Sequence, residues 1–272
     1  MVVINPVIVG EIGSVAHGLG TAESDHDYMG VYIDPAESLI GWQPERGAVR
    51  DRDKPEGIKS DAGDSETTYY GLRKYVKLIT DGNPTVMTLL FTPNLTTPDS
   101  IGLQANRDMF LSRKLATRHV GYADSMHARL TGKKAPRTNR PELIAKHGYD
   151  TKAAFHALRL LIQGHEMLTR QTMTMPMTDL ARDYLLDVRH GKVPETEVLD
   201  AIEHWRDELQ TAESASPLPP EPDYLKINRW LIKIHTVAWR SPIGVDTHEP
   251  PLVCWPCWCS VDRPVHRTLV GL

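Results

Sequence analysis

The spacing of apolar and polar positions changes near residue 100. Before it, short β-forming runs at 7–12, 27–33 and 66–70 alternate with turn clusters. The stretch 43–63 is charged and rich in glycine and proline, so it predicts a loop or a long hairpin over the front of a sheet. After it, helical periodicity dominates. Helices are expected at 72–80, ended by Asp81-Gly82, and at 83–91, with Pro84 in a first-turn position. One broken or two joined helices are expected over 101–131. Further helices follow at 150–169 with Asp150 as cap, at 178–190 stopped by Gly191, at 195–213 after Pro194, and at 223–239 beyond a stiff proline-rich connector. Strands followed by helices predict an α+β chain: a sheet domain over 1–98, a helical domain over 99–240 and an irregular tail over 241–272. No internal repeat is present.

Composition narrows the class. The 272 residues are 40% apolar and 24% charged with a net charge of −4, values of an ordinary folded chain and not of a uniformly basic nucleic-acid coat. A local basic groove remains compatible with that total. No apolar run reaches the roughly 18–20 residues of a membrane span. The apolar opening lacks a cationic lead and is interrupted by Pro6. Cys254, Cys257 and Cys259 all fall in the tail, so no disulfide framework holds the body together. These features predict a soluble, cytoplasmic protein with no membrane partner; they do not define an oligomeric state.

The chemistry concentrates in GSVAHGLGTAESDHDYMGV, residues 13–31. Gly13-Ser14 closes a β-run and starts a turn into a short helix. Asp25 and Asp27 follow at the mouth of the next strand, where residues i and i+2 project from one face. Adjacent carboxylates repel unless a cation lies between them, and hard oxygen ligands of this kind suit Mg²⁺ or Mn²⁺ with substrate phosphate completing the shell. Gly13 lets the backbone approach a phosphate, to which the Ser14 hydroxyl and nearby N–H groups can donate. Alone, the acid pair reads as a cap and a strand edge; its coupling to the Gly-Ser turn favours a site.

That pattern resembles the nucleotidyltransferases of the DNA polymerase β superfamily. More closely, it resembles the RlaP-type branch, predicted nucleotidyltransferases associated with RNA ligases and common in phages. The resemblance rests on GSVAHGLGTAESDHDYMGVY, YYGLRKYVKLITDGNPTVMTLLF and KHGYDTKAAFHALRLL, with weaker matches in LLDVRHGKVP and SPLPPEPD, over about residues 8–240. It implies a polymerase β-like palm followed by a helical bundle, an NTP donor, ATP included, and two metal ions held by Asp25 and Asp27. It also implies a third carboxylate before the Leu-Arg-Lys helix. Glu66 occupies that place, with Asp61 and Asp64 as alternatives, and would serve as metal ligand and help deprotonate the acceptor. Thr88 stands where relatives commonly carry Glu.

The helix over 150–169 supplies a second signal. Lys152, His156 and Arg159 fall within about 60° on a helical wheel, with Ala154, Leu158, Leu161 and Ile162 broadly opposite. Such a stripe is ordinarily a solvated face; with the resemblance it becomes a candidate triphosphate clamp, joined by Lys146 just upstream. His17 is expected either to touch phosphate or to satisfy its turn. Arg73 and Lys74 open a helix, where positive charge is locally unfavourable, which hints at an external anion. In the tail, the cysteines with His248 and His266 could form a zinc site, although their irregular spacing makes a plain Trp/Pro-rich tail the simpler reading. The expected activity is transfer of an NMP to an acceptor hydroxyl, on RNA or a tRNA end, with release of pyrophosphate. The alternatives are a protein or small-molecule acceptor and an inactive nucleotide-binding module.

Overall fold

The computed structural model describes residues 4–21, 24–42, 47–53, 64–131 and 140–240. Five strands form one mixed sheet: β1 (Pro6–Ile12), β2 (His26–Tyr32), β3 (Val49–Arg52), β4 (Ser65–Gly71) and β5 (Leu95–Thr97), in the order β3-β4-β2-β1-β5. β2 and β4 are parallel, with Asp27 opposite Glu66 and Tyr32 opposite Gly71. The other pairs are antiparallel. The charged stretch thus contributes an edge strand, β3, paired with β4 as one arm of a hairpin; Asp61 lies outside the described residues.

Between β1 and β2 sits the one-turn helix α1 (Gly13–Ala16), and α2 (Ala36–Leu39) follows β2. After β4 come α3 (Leu72–Thr80) and α4 (Pro84–Met87), where the Asn83 side chain accepts from the Thr85 and Val86 amides and so caps α4. Of the broken or joined helices expected over 101–131, the first part does not form an α-helix. The Asp99 carboxylate accepts from the Ile101, Leu103 and Gln104 amides, and Gly102 takes a φ of +69°, so the chain makes a capped turn and a 3₁₀ segment first. Only then does α5 (Lys114–Leu130) begin.

The remaining helices are α6 (Pro141–His147), α7 (Thr151–Arg170), α8 (Asp179–Arg189), α9 (Glu195–Ala215) and α10 (Tyr224–Arg240). The Asp150 side chain accepts from the Ala153 amide at 3.0 Å and caps α7. α7 lies centrally, packed against α5, α8 and α9. Gly164 lets it come close: a side chain there would meet His119 of α5 and Leu209 of α9. Asp124 meets Arg206, while His119 and Leu209 meet at Gly164, so α5 and α9 run antiparallel. Leu209 beside Gly164 and the Leu168 carbonyl bonded by Ser216 make α9 parallel to α7. The C-terminal end of α5 therefore points toward the N-terminal end of α7.

One cluster of buried side chains runs from Ile8, Met29 and Val31 of the sheet through Leu72, Tyr75 and Ile79 of α3 to Phe155, Leu158 and Leu161 of α7 and Leu209 of α9. The described residues up to Trp239 pack as one compact unit. No helix among them is long and apolar enough to cross a membrane. The tail cysteines and histidines lie outside the described residues. Because sheet and helices share this core, urea unfolding followed by tryptophan fluorescence and by far-UV circular dichroism is expected to give coincident transitions. Leu161→Ala should shift both together, by about 2–5 kcal/mol.

Candidate active site

β1 delivers the Gly-Ser turn to the end of the sheet where β2 and β4 begin. Gly13 has a φ of +71°, and a Cβ there would collide with the Asp27 carboxylate, so glycine is required both for the turn and for the close approach. The Leu19 amide donates to the Ser14 carbonyl and the Gly18 amide to that of Val15, which folds the turn back on itself. Ser14 Oγ lies 3.4 Å from Ser24 Oγ, one residue before Asp25.

Strand register brings the acids together. Asp27 and Glu66 are direct partners across a parallel pair, so their side chains share a face, and Asp25 is close enough to act on Asp27. The Asp27 carboxyl is pushed up to about 6, first by burial and then by the charges of Asp25 and Glu66, against the opposing pull of Lys152 and His26. Glu66 has its own partners: Arg52 Nε stands 2.9 Å from one carboxylate oxygen and Arg50 Nε 3.9 Å from the other. Among the described residues no three His, Cys, Asp or Glu side chains converge as a ready-made metal site. The crowded charge at Asp25 and Asp27 fits a divalent cation, and Glu66 could join it by exchanging Arg52 for the ion.

Facing the acids is a cationic wall. Lys152, on the first turn of α7, is half-buried. Its ammonium pKa is lowered by burial and then by Arg140 and Arg189, while Asp25 and Asp27 oppose the shift. His156, one turn on, is lowered to about 3 by burial and then by Arg159, Lys152, Arg140 and Arg189, so it is neutral at physiological pH. Burial brings Arg159 down to about 10, still charged. Arg140 lies 3.7 Å from Asp150, and Arg189 donates to the Leu19 carbonyl at 2.6 Å with its guanidinium 5.4 Å from the Phe155 ring centre.

Other expected residues take different places. His17 is 1% exposed and is bonded within the protein, the second of the two alternatives the sequence left open. Arg159 Nη1 donates to His17 Nε2 at 2.5 Å and to Gln163 Oε1 at 3.3 Å, and Gln163 Nε2 lies 2.9 Å from His17 Nδ1. Arg159 is thereby engaged in holding the turn as well as in charging the wall. Arg73 and Lys74 belong to the other end of the sheet. Glu66 and Gly71 lie about 16 Å apart along β4, and the Arg73 amide donates to Asp34, beyond the far end of β2. Lys146 is exposed on the last turn of α6. Thr88 is buried, its hydroxyl directed to the Pro84 carbonyl at 3.4 Å. A separate cavity of about 500 Å³, lined by Ile162, Glu166, Tyr184 and Trp205 among others, begins ten residues beyond Lys152 on α7, about 15 Å along the helix.

Sequence reasoning missed Arg50, Arg52, Arg140 and Arg189. The alternation of Arg50 and Arg52 is visible within the charged stretch, but nothing local marks it as a strand beside Glu66.

A two-carboxylate strand mouth facing a cationic helix, built on a mixed sheet with a Gly-Ser turn, is the arrangement of the polymerase β class of folds. Comparison with protein families agrees: the model of the RlaP family, described as the RNA repair pathway DNA polymerase beta family, matches residues 6–233, and the chain belongs to that family. Membership suggests nucleotidyltransferase activity and is silent on a phage source. No curated protein matches the chain.

The raised Asp27 pKa links stability to pH. The folded chain holds this proton more tightly than the unfolded one, so its contribution is present below about pH 4 and is lost as pH rises through 6. Asp27→Asn should therefore raise the melting temperature at pH 7.5 and leave it nearly unchanged at pH 4, measured by calorimetry at both values.

Proposed function

We propose that this chain is a metal-dependent nucleotidyltransferase that moves an NMP from an NTP to an acceptor hydroxyl on RNA and releases pyrophosphate. The observation that carries the reading is the closeness of Asp25 and Asp27 at one strand mouth, within electrostatic reach of Lys152. A divalent ion between those carboxylates would supply Lewis acidity at the α-phosphate and at the acceptor oxygen.

The chain's own groups account for the rest. Lys152, Arg140 and Arg189 form a cationic surface suited to the β- and γ-phosphates, and they offset the charge that grows on the departing pyrophosphate. Gly13 and Ser14 bring the turn against the phosphates. The acceptor oxygen forms a bond to the α-phosphorus as the bond to the β-phosphate bridging oxygen breaks. The hydroxyl proton passes to the acid cluster, where Glu66, released from Arg52, is the accepting group. His156 remains neutral under the surrounding cations and fills space beside the phosphate wall.

Incubation with α-labelled NTPs, Mg²⁺, pooled RNA and lysate protein tests this. Label is expected on RNA with stoichiometric pyrophosphate, and Asp25→Asn or Asp27→Asn should reduce it by at least about a hundredfold in a folded protein. Turnover retained in the folded double variant contradicts the acid assignment. Label only on protein contradicts the RNA acceptor, and label nowhere favours a binding module without turnover.

A further inference from the structure

The acids lie at one end of a longer surface that extends beyond the reaction centre. β3 pairs with β4 so that Arg52 opposes Glu66 and Arg50 opposes Thr68. Glu66, Thr68 and Tyr70 alternate onto one face of β4, and Arg50 and Arg52 share it. The Arg50 side chain is 62% exposed. From Glu66 to Tyr70 this row extends about 13 Å away from the acids.

A matching row runs along α5. At 100° per residue, Arg118, Tyr122, Ser125 and Arg129 fall within about 60° of one another. Arg118, Tyr122 and Arg129 are exposed, and Asp124 lies off the row, bonded to Arg206. The two rows come within electrostatic reach of each other at Tyr70, on which Arg50 and Tyr122 both act, and Asn83, just after α3, lies 3.4 Å through its Nδ2 from the Tyr122 hydroxyl. α5 points its C-terminal end, and so Arg129, toward the Lys152 end of α7. Each row combines arginine with a tyrosine, and the sheet row ends beside the carboxylates at Glu66, the partner of Asp27.

We infer that this surface, Arg52, Arg50 and Tyr70 on the sheet with Arg118, Tyr122 and Arg129 on α5, is the docking path for a single-stranded polynucleotide whose terminal hydroxyl reaches Asp25 and Asp27. Charge complementarity selects the occupant. Four arginines accompany two phenol rings with Glu66 as the one carboxylate in either row, a combination that suits phosphodiesters and splayed bases. A duplex buries its base faces and leaves the rings without a role. The inference rests on the transferase reading for the direction of the strand, but its test does not require transfer.

Fluorescence anisotropy with a labelled 12-nucleotide RNA and the DNA of the same sequence, in EDTA and without NTP, measures binding while chemistry is silent. Tyr122→Ala is expected to weaken binding roughly 5- to 100-fold, the range for loss of one stacked base. Arg129→Glu should weaken it and flatten its salt dependence. Both positions are exposed, and circular dichroism verifies that each variant is folded. Weakening on either polynucleotide supports the surface, and the tighter of the two names the acceptor. Wild-type-like binding by both variants, equal binding of a blunt duplex, or no affinity of the wild type for either strand overturns it. Binding with the expected sensitivity but without any transfer activity leaves this surface standing and removes the transferase reading instead.

Discussion

The geometry of the site depends on a contact between residues far apart in sequence, the bond from Arg159 to His17. A hydrogen bond from a charged donor contributes about 1.5–3 kcal/mol, and removing either buried partner leaves the other without compensation. It also keeps His17 neutral, consistent with a pKa held well below the ordinary value, first by burial and then by Arg159 and His156. Two further bonds act on the same loop: the Met177 amide donates to the His17 carbonyl and Arg189 to that of Leu19. The Gly-Ser turn is thus clamped from α7, α8 and the segment between them. This joint helps set how α7 approaches the sheet and so brings Lys152 within electrostatic reach of the aspartates.

Charge is arranged around that joint in two opposed groups. On the sheet side, acids crowd Asp27 until its proton is retained to about pH 6; on the helix side, cations crowd His156 until it cannot take a proton near neutrality. Each group is unfavourable by itself, and under the proposed function a divalent ion would relieve the one and polyphosphate the other. Stability given up at Asp27 is the expected counterpart of a preorganised site. Arg52 shows how the resting protein limits that strain, because it already neutralises Glu66.

Local pattern reveals much of this fold and only part of the site. β1, β2, β4 and α7 follow from alternation, helical period and the Asp150 cap, signals contained within each segment. Asp25 and Asp27 are legible for the same reason: their spacing and the Gly-Ser turn lie within one short stretch. Arg73 and Lys74 are misplaced, and the role of His17 stays open in the sequence, because their surroundings depend on topology. The parallel pairing of β2 with β4 puts the start of α3 at the end of the sheet away from Glu66, and no periodicity encodes that. Arg140 and Arg189 reach the wall from separate elements that meet only in three dimensions. The Asp99 turn displaces an expected helix because one carboxylate satisfies three amides that a helix would have left open.

In the proposed function Asp25 and Asp27 jointly hold a divalent ion beneath the Gly13-Ser14 turn. A crystal grown with Mn²⁺ and a non-hydrolysable NTP analogue, examined by anomalous diffraction, measures it directly. An anomalous peak is expected between the two carboxylates, with the phosphates directed toward Lys152. A nucleotide bound elsewhere, or one bound here with no ion at those carboxylates, contradicts that reading.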